Sequence, residues 1–157
     1  MARIIPFLWF DHEAEEAANH YTSIFKNSRV TDVQRYGDAG PGPAGAAMLV
    51  SFELEGQEFI ALNGGPEFTF NEAVSFYTSC SGQAEVDALW DGLCDGGSEG
   101  QCGWLKDRYG VSWQIVPTVL TELLADPDPV KAGRVMQAML GMTRIDIQGL
   151  RDAYDAG

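Results

Sequence analysis

Apolar positions change their spacing several times along the chain, and each change marks an element. Ile4 to Phe10 is a continuous apolar run containing Pro6, which suits a strand with the proline at an edge or bulge. From Ala14 to Phe25 the residues Ala14, Ala17, Ala18, Tyr21 and Phe25 recur every three or four positions, the period of an amphipathic helix. Arg29 to Tyr36 is strand-like, and Ala46 to Leu54 alternates Met48, Val50, Phe52 and Leu54 against Leu49, Ser51 and Glu53. The glycine-rich stretch from Gly37 to Gly45 reads as a loop between these two strands. Gly56 marks a turn, and Glu58 to Asn63 reads as the second arm of a hairpin. The first 63 residues therefore spell β-α-β-β-β.

The second half repeats that opening in shortened form. Ala73 to Cys80 predicts a strand, and a helix follows with Val86, Leu89, Trp90 and Leu93 on one face and Gly96 and Gly97 after it. Short strands are expected at Gln101 to Leu105 and Val111 to Val116, joined by the charged turn Lys106 to Gly110. Pro117 closes the last strand, with Thr118 expected to cap a helix over Val119 to Ala125. Asp128 followed by Pro129 is a second helix start, because a carboxylate caps free amides and proline fits the first turn. The stripe Val135, Met136, Met139 and Leu140 predicts packing against the body of the domain or against a second subunit.

The chain has 157 residues, enough for one domain and too few for two of full size. Hydrophobic residues at 45% and charged residues at 21% exclude a disordered or fibrous chain. A net charge of -13 repels phosphate backbones and anionic membrane surfaces, so no nucleic acid and no membrane is expected as a partner. No apolar run approaches the roughly 20 residues of a membrane helix, and no signal-peptide pattern opens the chain, which predicts a cytoplasmic protein. Cys80, Cys94 and Cys102 form neither an even disulfide set nor a metal-binding pair and read as reduced, partly buried thiols.

His12 and His20 are the only histidines. The run from His12 to Glu16 lacks the second histidine of a zinc-binding H-E-x-x-H helix. His12, Glu16 and His20 fall one turn apart, and the expectation is a solvated charge cluster on one helix face, not a metal site. Gly64-Gly65-Pro66 follows a strand but opens no helix, so the turn that would hold a methyl-donor nucleotide is missing, and neither histidine adjoins a nucleophile motif. Aromatic residues gathered near polar amides suit the apolar walls of a small-molecule pocket, although a place in the core suits most of them better. Strand alternation puts Ser112, Gln114 and Val116 on one face and Trp113 and Ile115 on the other, and Ser75, Tyr77 and Ser79 on one face of the earlier strand. The candidate ligand-binding residues are therefore Ser75 and Gln114 as hydrogen-bonding groups, with Asn63, Tyr77 and Trp104 as wall residues.

Three segments together resemble a known family: Ala61-Leu62-Asn63-Gly64-Gly65-Pro66, Phe68-Thr69-Phe70-Asn71, and Cys102 through Pro117, with a similar ending over Gly141 to Ile147. The chain resembles the PhnB-like branch of the vicinal oxygen chelate superfamily, which includes glyoxalase, bleomycin resistance and extradiol dioxygenase proteins. Its members are often labelled 3-demethylubiquinone-9 3-methyltransferase. The resemblance implies an α+β fold of two βαβββ modules, about residues 1–66 and 72–117, forming a half-open curved sheet within a single domain. A helical tail over 118–157 follows, and the fold is commonly completed across a homodimer. Metal-using members hold a divalent ion on four inward residues, at places taken here by Ile4 or Pro6, Ala61, Ser75 and Gln114, which are poor ligands. The expectation is a metal-free, cofactor-free cavity for an apolar or aromatic small molecule. The competing class is an enzyme, either a metal-dependent lyase or dioxygenase with other ligands, or the methyltransferase of the family label.

Overall fold

The computed structural model describes residues 1–156 and divides into two compact units, Met1–Phe70 and the chain from Asn71 onward. The first unit runs β1 (Phe7–Phe10), α1 (Ala14–Ile24), β2 (Ser28–Arg35), β3 (Ala47–Leu54) and β4 (Gln57–Asn63). Its sheet has the order β1-β4-β3-β2, with β1 parallel to β4 and the rest antiparallel. The expected strand from Ile4 shortens to Phe7, and Pro6, which has no N–H to give, contributes only its carbonyl to Ile60 N at 3.0 Å. Glu55 and Gly56 both adopt positive φ, 50° and 84°, which makes the tight turn that joins β3 to β4. Val50, Phe52, Phe59 and Ala61 are buried on the face that α1 covers, where the Tyr21 ring meets Phe52 at 6.1 Å.

The second unit repeats the plan with β5 (Ser75–Cys80), α2 (Gln83–Cys94), β6 (Ser98–Glu99), β7 (Trp104–Lys106) and β8 (Ser112–Pro117). The order β5-β8-β7-β6, with β5 parallel to β8, reproduces the first sheet strand for strand. Sequence alternation missed β6 and set β7 too early. Cys102 and Gly103 have φ of 58° and 84°, so Gln101 to Gly103 is a turn, and the strand includes Lys106. Leu105, Trp113 and Ile115 are buried beneath Val86, Leu89, Trp90 and Leu93 of α2. The fold is thus α+β, two βαβββ modules with open sheets.

Three helices complete the second unit: α3 (Thr118–Leu124), α4 (Pro129–Leu140) and α5 (Ile147–Asp155). Asp128 caps α4 as expected, accepting from Val130 N at 2.9 Å. Thr118 does not cap α3; it is the first helical residue, and no side chain caps that end. The α5 helix is unforeseen, and Asp146 caps it by accepting from Gln148 N at 3.1 Å. The apolar stripe of α4 splits: Val135 and Met139 join a cluster with Val116, Leu120, Ile145 and Leu150, whereas Met136 and Leu140 are exposed. No helix among the described residues is long and apolar enough to cross a membrane.

Candidate functional site

The face of the second sheet turned away from α2 carries two rows of side chains across its strands. Register aligns Tyr77, Gln114 and Trp104 in one row, and Ser75, Ser112, Lys106 and Ser98 in the next. Gln114 Nε2 donates to Ser75 Oγ at 2.9 Å, which ties the two rows together. Tyr77 is 55% exposed and Trp104 half-buried, so aromatic surface flanks the amide on both sides. Four of the five residues singled out from sequence, Ser75, Tyr77, Trp104 and Gln114, therefore share this face. Beside it lies a cavity of about 350 Å³, lined by Glu72, Ser98, Trp104, Lys106 and Ser112 among others. Lys106 and Glu72 form an ion pair within it, and that bond and charge hold the Glu72 carboxyl below its usual pKa. Sequence reading left both residues out because it placed Lys106 in a turn; the alternation in Trp104-Leu105-Lys106, read as a strand, is the signal that finds it.

The hairpin presenting this face is held from beneath. Asp107, only 3% exposed, accepts from Tyr109 N at 2.8 Å and Val111 N at 3.1 Å through Oδ1 and from Trp113 Nε1 at 2.9 Å through Oδ2. One carboxylate thus closes the turn between β7 and β8 and fixes the core indole behind Gln114. At the other end, Cys102 N and Gly103 N donate to Met142 O and Thr143 O, at 2.8 and 2.7 Å. A Cβ on Gly103 would stand 2.8 Å from Ile115 O, so glycine lets the turn before Trp104 lie against β8.

Asn63 belongs to the first unit, and its amide is engaged with the backbone. Oδ1 accepts from Ala14 N at 2.8 Å at the start of α1, and Nδ2 donates to Ala47 O at 3.0 Å. The metal places assigned by resemblance also shift. Ala61 is fully buried on the α1 side, and Ile4 precedes β1. The face away from α1 carries Phe7 beside Ile60 and Trp9 beside Leu62 at the equivalent rows. Phe7, Ile60 and Leu62 are hydrocarbon and the Trp9 indole is a hydrogen-bond donor only, given to Gly65 O at 2.9 Å, so none of these side chains offers a lone pair to a divalent ion, and Ser75 and Gln114 are neutral. His12 lies before α1, not on it, so His12, Glu16 and His20 do not share a helix face; His12 pairs with Glu13 at 3.0 Å and Asp11 at 3.5 Å in an exposed cluster. At the strand-to-helix turns, Asn63 Oδ1 accepts from Ala14 N at the first, and Ser81 N donates to Glu85 Oε1 at 3.1 Å at the second.

The sequence matches the family of 3-demethylubiquinone-9 3-methyltransferase over residues 2–116. The PhnB protein of Bacillus cereus, which carries the same description, shares 37% identity over 74% of this chain and 99% of its own, with a TM-score of 0.69. The chain belongs to the PhnB-like, 3-demethylubiquinone-9 3-methyltransferase family. Protein PA1353 of Pseudomonas aeruginosa has a similar fold at 22% identity and a TM-score of 0.62, covering 74% of this chain and 98% of its own. A glyoxylase/bleomycin resistance protein/dioxygenase domain from Frankia shares 15% identity over 74% of this chain and 92% of its own, with a TM-score of 0.49. No curated protein matches the chain. The PhnB-like match ends at Val116, so α3, α4 and α5 lie beyond it.

Proposed function

We propose that this PhnB-like protein binds an apolar or aromatic small molecule on the open face of its second sheet, by neutral hydrogen bonding and ring contact and without a bound metal or cofactor. The observation that carries this reading is the Gln114–Ser75 pair, at a place where metal chemistry requires carboxylate or imidazole. An amide and a hydroxyl offer a donor and an acceptor to one polar ligand atom, and Trp104 and Tyr77 offer the walls. The neutral side chains of Ser75 and Gln114 favour this reading over a metal-dependent lyase or dioxygenase acting at this face. Three free cysteines support a cytoplasmic setting.

The test uses naphthol, a neutral aromatic alcohol, as the probe. Calorimetry is expected to show saturable binding to the unmodified protein, and about tenfold weaker binding to Gln114→Ala, the loss of one or two buried hydrogen bonds. Gln114→Glu is expected to create no stoichiometric uptake of zinc or magnesium in equilibrium dialysis, because one carboxylate does not satisfy a hard cation. A fall in melting temperature for Gln114→Ala with unchanged naphthol affinity would overturn the assignment of Gln114 as a ligand contact.

A further inference from the structure

Ser112 is out of place in a pure scaffold. It is 1% exposed, and among the described residues no group hydrogen-bonds its Oγ. A buried hydroxyl without a partner is destabilising, and alanine there would avoid the penalty. Register explains where the hydroxyl is directed: Ser112 is opposite Lys106, on the face away from α2, and both line the 350 Å³ cavity.

Lys106 already holds a carboxylate. Glu72 reaches it from a turn in which Asn71 Oδ1 accepts from Ala73 N at 2.9 Å, and the Glu72 side chain is 60% exposed. An exposed ion pair of this kind is weak and exchangeable. The two side chains of a directly opposed pair start about 5 Å apart at Cβ, so one carboxylate can place an oxygen on Lys106 Nζ and the other on the Ser112 hydroxyl. Trp104 lies two residues from Lys106 on the same strand face and supplies an aromatic wall beside that position. Glu99 also lines the cavity, but the carboxylate paired with Lys106 is that of Glu72, and it is the one an incoming anion displaces.

We infer that the cavity binds an aromatic carboxylic acid, its carboxylate replacing Glu72 on Lys106 and accepting from the Ser112 hydroxyl while its ring lies against Trp104. This inference rests on the reading of the same face as a ligand surface, and it adds the ligand's charge and the residues that select it.

Naphthoate and naphthol share a ring system and differ in the carboxylate, so the pair separates the two levels of the argument. In calorimetric titrations of the full chain, naphthoate is expected to bind more tightly than naphthol. Lys106→Met keeps the apolar stem and is expected to weaken naphthoate about 10- to 100-fold while changing naphthol less than about threefold, as expected when a charged hydrogen bond is lost. Ser112→Ala is expected to weaken naphthoate about tenfold and to raise the melting temperature of the free protein, because the unpaired hydroxyl is gone. Glu72→Gln is expected to tighten naphthoate severalfold by removing the internal competitor. Unchanged naphthoate affinity in Lys106→Met, or weaker binding in Glu72→Gln, would overturn the inference. Naphthol binding without naphthoate binding overturns this inference alone, whereas failure of both probes overturns the ligand face as well.

Discussion

Asn63, Gly64 and Gly65 are among the most recognisable residues in the chain, and their geometry is architectural. The Asn63 amide joins α1 to β3, a Cβ on Gly64 would overlap the Trp9 indole at 2.4 Å, and Gly65 adopts a φ of 98°. Asn63→Ala is therefore expected to cost about 1–2 kcal/mol of stability, seen in chemical denaturation, with naphthol affinity unchanged. A motif of amide and glycines beside aromatics looks the same in sequence whether it holds a ligand or a helix start, which is why Asn63 was grouped with the wall residues. Cys80 and Cys94 are different, because burial is the main cause of their chemistry. Burial, reinforced by Glu85, raises the Cys80 thiol pKa from 9.0 to about 12, and burial with Glu99 raises that of Cys94 to about 11. The unfolded thiols ionise near 9 and the folded ones resist, so their contribution to stability is complete below pH 9 and is lost as pH rises from about 9 towards 12. Iodoacetamide at pH 8 is expected to leave Cys80 unmodified in the native protein and to alkylate it after denaturation.

At the scale of elements, strands and helices with a strong period were legible in the sequence, and short or locally capped ones were not. The α1 and α2 helices follow from their apolar stripes, and β3 from alternation of buried and half-buried residues. The two-residue β6 is too short for any period, and β7 was displaced because the left-handed pair Cys102 and Gly103 precedes Trp104. The α5 helix was missed since Leu150 is its only buried residue. It is nevertheless fastened to α2: Gln83 donates to Ile145 O at 3.0 Å and accepts from Ile147 N at 2.7 Å, while Arg144 meets Asp87 and Asp91 at 3.3 and 2.6 Å. Ile145, fully buried, stands at the centre of this junction and against Gly103. Ile145→Ala is expected to destabilise the protein by about 2–5 kcal/mol, measured by chemical denaturation. It is also expected to speed amide hydrogen exchange at Cys102 and Gly103, whose acceptors lie in the adjacent segment.

For the whole molecule, the repeat of β-α-β-β-β was readable because the element order recurs, even though the second copy is compressed. The helices from Thr118 onward cluster with the second unit, where Val116 of β8 enters their apolar cluster. Each sheet leaves two edge strands, and Phe7, Val74 and Tyr77 expose apolar surface. The homodimer we propose covers part of that surface, and light scattering at micromolar concentration is expected to give twice the monomer mass; a monomer mass would contradict it. The central claim, recognition without a metal, has one direct measurement. Naphthol titrated into protein dialysed against excess EDTA is expected to bind with the affinity found in untreated protein. Binding that vanishes under EDTA and returns on adding a divalent cation would contradict the account.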